Sequence, residues 1–455
     1  MAASNQIHPV TPLAQMANTS ANTANSSWER RKSLVLRAWI LSGIFFMTVP
    51  GTLLGFSNLI AISARHGLAT LPPAWLEGHG HAQIFGWIGS FVLGIGFFSQ
   101  PSRGRSSVIT QLCSLALWIS GVALRWVANI HGWEWRILLP VSAGFELIAV
   151  AIFLRAASRH KMPEPTTGGP RRGIPAWMAL VLLGTAGLAA AVIFNFVECL
   201  RLALYSSQPA FPHMLDQKYL LLLGWGFIVP TVWGFSAKWF PSMLSVREAD
   251  AKKLRVALVL VVAAIFCGIL GWIPLATVVL ALGTVIVLRA LRLFERTRNA
   301  DRSSSWFVRS AYLWLAVAAG MSVWAAYADH HGGIWGASRH ALTVGFAATM
   351  VFTIGPRILP FFAGVREIFS KRLALLCLLV LQTGCALRVI SEPLAYEGFT
   401  DMAWKALPFS GMLELSAVLL FALNLMLTFL CRASGRNPQK PLNTSLVNIS
   451  LHRGQ

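Results

Sequence analysis

Charge is the scarcest thing in this chain. Asp, Glu, Lys and Arg make up 12% of its 455 residues, about half the roughly 25% of an ordinary soluble domain. That deficit excludes a cytosolic globular enzyme and a disordered chain. Acid is scarcer than base, 17 residues against 38, but the basic excess is spread over loops rather than gathered in runs, so nucleic acid is not an expected partner. Cysteine is sparse and scattered. The six (113, 199, 267, 377, 385 and 431) stand singly, mostly inside apolar stretches, with no C-x-x-C, which excludes a disulfide framework and a zinc site of familiar spacing. Residues 1–27 are rich in Ser, Asn, Thr and Ala and lack an apolar core. They do not read as a signal peptide; residues 1–33 are expected as a disordered tail, and 432–455 as a second tail.

What remains is apolar: 55% of the chain is AVILMFWYC. Apolar stretches lie at about 38–62, 81–98, 108–128, 137–155, 176–199, 219–236, 254–272, 274–292, 307–328, 340–359, 373–391 and 408–431. Each comes close to the roughly 20 residues that cross a bilayer, and only a helix satisfies its own backbone in lipid. The expectation is an all-α membrane protein of twelve transmembrane helices. Sorting basic residues by alternate loops puts Arg65, Arg125, Arg136, Arg201, Lys218, Arg339, Arg388 and Lys405 on one side and every other Lys and Arg on the side of the N-terminus. Lys and Arg favour cytoplasmic loops, so both termini are expected in the cytoplasm. Histidine distributes the other way: only His8, His160 and His452 lie on the N-terminal side, and the remaining eight sit opposite. Chemistry is expected at that outer end.

The chain also repeats. His81-Ala82-(x)3-Gly86 in the second stretch matches His340-Ala341-(x)3-Gly345 in the tenth, and continues without gaps to Pro101/Pro360. The sixth stretch fits more weakly through Gly226, Gly234 and Pro241, with Leu221 where the histidines stand. Gly121-x-Ala123-Leu124-Arg125 matches Gly384-x-Ala386-Leu387-Arg388, and Leu139-Pro140-x-Ser142-(x)3-Glu146 matches Leu407-Pro408-x-Ser410-(x)3-Glu414. Three four-helix units follow, 34–158, 174–294 and 305–431, joined by a Pro/Gly/Arg-rich stretch and a charged one. Units one and three share a His/Arg/Glu set that unit two has lost.

Ionisable groups within a bilayer are costly and mark sites. Two imidazoles on pseudo-symmetric helices, each with a guanidinium near by, suit a haem: His81 and His340 bind the iron from opposite faces, and Arg125 and Arg388 pair with its propionates. Glu146 and Glu414 are placed to accept the other ring N–H of each histidine. Two residues apart on a helix is about 200° of rotation, so His79 and His81 cannot face one iron. The repeat favours His81, because His79 aligns with Ser338; His79 is then a candidate for a second metal with His131, His213, His330 or His331. Simpler readings stand beside these. The arginines can snorkel to lipid phosphates, a glutamate can answer a helix dipole, the His330-His331 pair can be solvated loop, and the many tryptophans can anchor the membrane interface.

At these residues the chain resembles the NnrS family, membrane proteins linked to nitric oxide and described as containing haem and copper. The best match is His340-Ala-Leu-Thr-Val-Gly345; the second stretch follows the family's H-x-H-E pattern as His79-Gly80-His81-Ala82, with Ala82 in place of the acid. The resemblance implies haem b as cofactor, copper as a second candidate, nitric oxide as a partner and the bacterial inner membrane as the location. The layout is also similar to the catalytic subunit of haem-copper oxidases, with twelve helices in three arcs and a haem between the second and tenth. It departs from that pattern in having no histidine within the sixth and seventh stretches and Ser338 where a second haem ligand stands. The usual binuclear centre therefore cannot be built in the usual way.

The leading expectation is a haem-binding membrane protein of the nitric oxide or nitrosative-stress response, acting in electron transfer or sensing. A reductase of NO or O2 with unconventional ligands is the alternative, and a transporter using the same polar cavity is the third. Three parallel repeats argue against the transporter, since transporter repeats are commonly inverted or two-fold.

Overall fold

The computed structural model describes residues 12–67, 71–100, 105–159, 173–295, 302–362, 365 and 367–431. Among these the secondary structure is helical throughout. We number the membrane-scale helices α1 (Arg30–Arg65), α2 (Pro73–Ser99), α3 (Ser107–His131), α4 (Trp135–Ser158), α5 (Ala176–Tyr205), α6 (His213–Met243), α7 (Ala251–Ile269), α8 (Ile273–Leu291), α9 (Ser305–Ala328), α10 (Gly333–Phe362), α11 (Lys371–Tyr396) and α12 (Asp401–Leu430). Eleven are long and apolar enough to cross a membrane. The exception is α7, where the sequence led us to expect a seventh span at 254–272. Lys252, Lys253 and Arg255 lie in its first turns, so no full-length window of this 19-residue helix is as free of charge as the others. The helix of α1 is described from Pro12, inside the segment that composition reads as a tail.

The tightest helix pairs are α3 with α4, α7 with α8 and α11 with α12, the third and fourth helices of each expected unit. Further contacts carry α4 onto α5, α8 onto α9, and α12 back onto α1, which closes a ring. The inner positions belong to α2, α6 and α10. Their most apolar windows are 67%, 72% and 56% buried, against 50% or less for every other span.

All three inner helices break their α-helical phase at one place. A π-helical segment begins directly after His81, after Leu221 and after His340, running Ala82–Gly89, Leu222–Ile228 and Ala341–Ala348. These starts are equivalent positions in the repeat, and π-bulges gather at functional sites. A fourth, Met47–Leu53 in α1, surrounds Pro50, whose ring removes a backbone donor and crowds the carbonyl one turn earlier. Glycine permits the closest crossing: a Cβ on Gly187 of α5 would strike the carbonyl of Gly226 in α6.

Candidate functional site

The matched residues form two clusters, one in each polar unit. In unit one, His81 is the last residue before the α2 π segment, and its ring stacks on Phe85 at 4.4 Å. Its Nε2–H donates to Glu146 Oε1 at 2.6 Å. Glu146, on α4, reaches it past Gly121 of α3, where a Cβ would lie 2.7 Å from Glu146 Cγ. The other carboxylate oxygen accepts from Asn195 Nδ2 at 3.0 Å, and Asn195 Oδ1 accepts from Arg125 Nη1 at 3.1 Å. Arg125 also donates to Cys199 Sγ at 2.7 Å and to Glu77 Oε2 at 3.0 Å, and its guanidinium lies 4.9 Å from the Phe211 ring centroid. Glu77 Oε1 takes the Phe211 backbone N–H at 2.5 Å. Five elements are thereby tied into one buried chain of hydrogen bonds. Every polar atom of it bar Arg125 Nε is satisfied or in contact with solvent.

Unit three begins alike and ends differently. His340 Nε2–H donates to Glu414 Oε1 at 2.6 Å, and Gly384 makes the passage, with a Cβ there 2.9 Å from Glu414 Cγ. Arg388 Nη2 donates to Glu392 Oε1 at 2.9 Å. Here the arginine's carboxylate comes from α11 itself, whereas Arg125 draws its own from α2. Extending the repeat explains the exchange: Glu77 aligns with Gly336, and Asn129 with Glu392. A Cβ on Gly336 would run into the Glu392 carboxylate, so the acid has changed helices and kept its place. The cluster is not closed, however. Arg388 Nε and Nη1 and Glu392 Oε2 are buried with no hydrogen-bond partner. An unsatisfied buried donor costs about 1–3 kcal/mol, more when charged.

His79 belongs with this open cluster. Its Nδ1–H donates to the Gly51 carbonyl at 2.9 Å, which leaves Nε2 as the free lone pair. The ring lies against α1 where Gly55 has no side chain; a Cβ there would be 2.5 Å from His79 Cε1. Its charged neighbours are His340, Arg388 and Glu414. Asn58, one turn beyond Gly55, is buried, and neither atom of its amide is partnered.

The repeat places His81 and His340 at one ligand with Glu146 and Glu414 behind them. The structure pairs each histidine with the glutamate of its own unit, as that spacing predicts. His79, unmatched in the repeat, hydrogen-bonds the Gly51 carbonyl of α1 and lies within the electrostatic reach of His340, Arg388 and Glu414. Ser338, its aligned residue, donates to the Ala318 carbonyl at 2.9 Å and pairs with Ser322 at 2.7 Å. The remaining histidines stay apart: His66 stacks on Trp404, His131 meets the edge of Trp126, and His330 and His331 are exposed. Among the described residues no three His, Cys, Asp or Glu side chains gather as a metal-binding group. Sequence reading passed over Glu77, Asn195, Glu392 and Asn58. The pair Glu77/Gly336 beside Asn129/Glu392 was the available signal for the two acids; Asn58 and Asn195 carried none.

The family described as Domain of unknown function (DUF8744) matches residues 241–430, a range that holds His340, Arg388 and Glu414 but not the unit-one cluster. No curated protein matches the chain. Among solved structures, a chain from the cryo-EM structure of a heme-copper terminal oxidase dimer is similar with a TM-score of 0.69 at 12% identity, over 88% of this chain and 84% of that one. At that identity the likeness shows the fold: a multi-pass helical membrane protein arranged like the oxidase.

Proposed function

We propose that this chain is a haem-binding integral membrane protein of the NnrS type, acting in the response to nitric oxide and nitrosative stress. In this reading it lies in the bacterial inner membrane with both termini cytoplasmic and the His/Arg/Glu clusters toward the periplasmic face. The haem is b-type and bis-histidyl, held between α2 and α10.

One observation carries the reading: two nitrogens of the Arg388 guanidinium are buried and unpartnered, within electrostatic reach of His79. Glu392 balances its charge, but donors left so inside a bilayer are expensive, and a propionate is an acceptor that would satisfy them. His79 supports the same assignment. Its Nδ1–H on a backbone carbonyl fixes the tautomer and presents Nε2, the arrangement common to ligating histidines. His340 spends Nε2–H on Glu414, so in this arrangement Nδ1 is its metal-binding nitrogen. Of the two α2 histidines this reading takes His79, because the cluster around His81 leaves no open donor but Arg125 Nε. Bound there, the haem supplies one-electron chemistry. The protein's own part is to hold the macrocycle among apolar side chains, to neutralise a propionate through Arg388, and to set ligand basicity through Gly51 and Glu414.

The test is a pyridine haemochrome spectrum of the purified protein, with iron and copper analysis alongside. A single b-type haem per chain is expected. A preparation with iron-free protein and no b-type signal, even after growth with excess haem, overturns the proposal.

A further inference from the structure

A separate cavity of about 220 Å3 opens between α6, α8, α9 and α10, in units two and three. Its walls are mostly aliphatic, with Leu221, Leu280 and Leu342 among them, and three basic side chains, Arg339, Lys218 and His213, line it as well. Arg339 hydrogen-bonds the neutral amide of Gln217. Asp216, Glu392 and Asp329 are its acidic neighbours, yet none is within ion-pair distance of it among the described residues. The Lys218 ammonium has neither hydrogen bond nor ion pair among them. Two cations with no ion-pair contact among the described residues, on helices that cross a bilayer, leave room for a negatively charged occupant. The aliphatic walls call for an apolar portion on that occupant, since a free ion would leave them against water.

We propose that this cavity binds an anionic lipid, with its phosphate on Arg339 and Lys218 and the start of an acyl chain against Leu221, Leu280 and Leu342. Basic pockets between membrane helices bind anionic head groups at the cytoplasmic face, and the same pairing of cations with an apolar wall stands here at the opposite face in the proposed orientation. The site shares no side chain with the Arg388 cluster, so its assignment stands independently of the haem.

The experiment titrates the delipidated full-length protein in detergent with dioctanoylphosphatidylglycerol, dioctanoylphosphatidylcholine and inorganic phosphate, read by native mass spectrometry, with haem counted in the same samples. Phosphatidylglycerol is expected to bind in preference to the other two. The double variant Arg339→Gln/Lys218→Gln should weaken it by about ten-fold or more, the loss of one or two charge-assisted hydrogen bonds. Leu280→Trp, which fills the cavity and keeps both cations, should weaken it comparably, and serves if the double variant does not fold. Equal binding of the two lipids overturns the proposal, as does phosphatidylglycerol binding unchanged in either variant. Inorganic phosphate bound as tightly as the lipid marks a free-anion site instead. A second haem per chain that these variants lose assigns the cavity to haem.

Discussion

His340 Nε2 lies 2.6 Å from Glu414 Oε1, and that contact sets which nitrogen of the histidine remains basic. The carboxylate accepts the ring proton, raises the basicity of Nδ1 and fixes the ring. Loss of such an outer partner typically costs about 10- to 100-fold in metal affinity. Glu414→Ala should therefore weaken haem binding by about that factor, measured by titrating haem into apo-protein, while Glu414→Gln, which still offers an acceptor oxygen, should lose less. Unchanged affinity in both variants would remove Glu414 from the site.

The unit-one cluster should behave in the opposite way. His81 and Glu146 are almost completely buried, and Asn195, Arg125 and Glu77 complete their hydrogen bonds. Removing one partner of a buried pair costs about 3–5 kcal/mol. Glu146→Ala is expected to lower the thermal unfolding temperature in detergent markedly while the surviving folded protein keeps its haem content. A variant of normal stability that has lost its haem would reverse the assignment of the two units.

The repeat points to His81, and the proposed haem site takes His79 because the open donors lie in unit three. Equivalent residues on α2 and α10 occupy equivalent surroundings, so each faces the fourth helix of its own unit: His81 meets Glu146 and His340 meets Glu414. That pairing engages Nε2 alone in each ring and leaves Nδ1 of both without a hydrogen bond among the described residues. His79, about 200° around the helix from His81, differs in being held by the Gly51 carbonyl rather than by a glutamate. The twelve helices and the His–Glu pairing were legible because apolar length and a repeated spacing encode them directly. The π segments after His81, Leu221 and His340 were not, since one extra residue in a helical turn leaves no mark in hydropathy. Nor was the weakness of α7, where Lys252, Lys253 and Arg255 sit in the helix rather than in the loop before it.

Gly55 offers a test that touches no ligand or charge. A Cβ at this position would lie 2.5 Å from His79 Cε1 and 2.8 Å from Nδ1, so Gly55→Val must push the imidazole off the Gly51 carbonyl. The expected result is haem loss approaching that of His79→Ala, with helical content by circular dichroism retained. Full haem occupancy in Gly55→Val would show that His79 is not held where it ligates.

Asp250 gives a pH signature away from the site. It caps α7, with Oδ1 accepting from the Lys252 and Lys253 backbone N–H groups at 3.0 and 3.2 Å and Oδ2 from Lys253 Nζ at 2.8 Å. The Lys253 side chain above all, and then these backbone donors, hold its carboxyl below the usual range. With the folded value below the unfolded one, its stabilisation is complete above the unfolded value and fades as pH falls through the folded one. Asp250→Ala should unfold at a lower temperature than wild type at neutral pH. The gap should narrow on acidification below the ordinary Asp range; a gap that widens there contradicts the capping role.

The central claim is that His79 and His340, with Arg388, hold one haem while His81 and Arg125 belong to a closed structural cluster. It is tested most directly by the haem-to-protein ratio of His79→Ala, His340→Ala, Arg388→Gln and His81→Ala, purified in parallel and measured as pyridine haemochromes. We expect the ratio to collapse in the first two, to fall in the third and to stay at the wild-type value in folded His81→Ala. A ratio unchanged in His79→Ala or His340→Ala, or one lost only in His81→Ala, contradicts it.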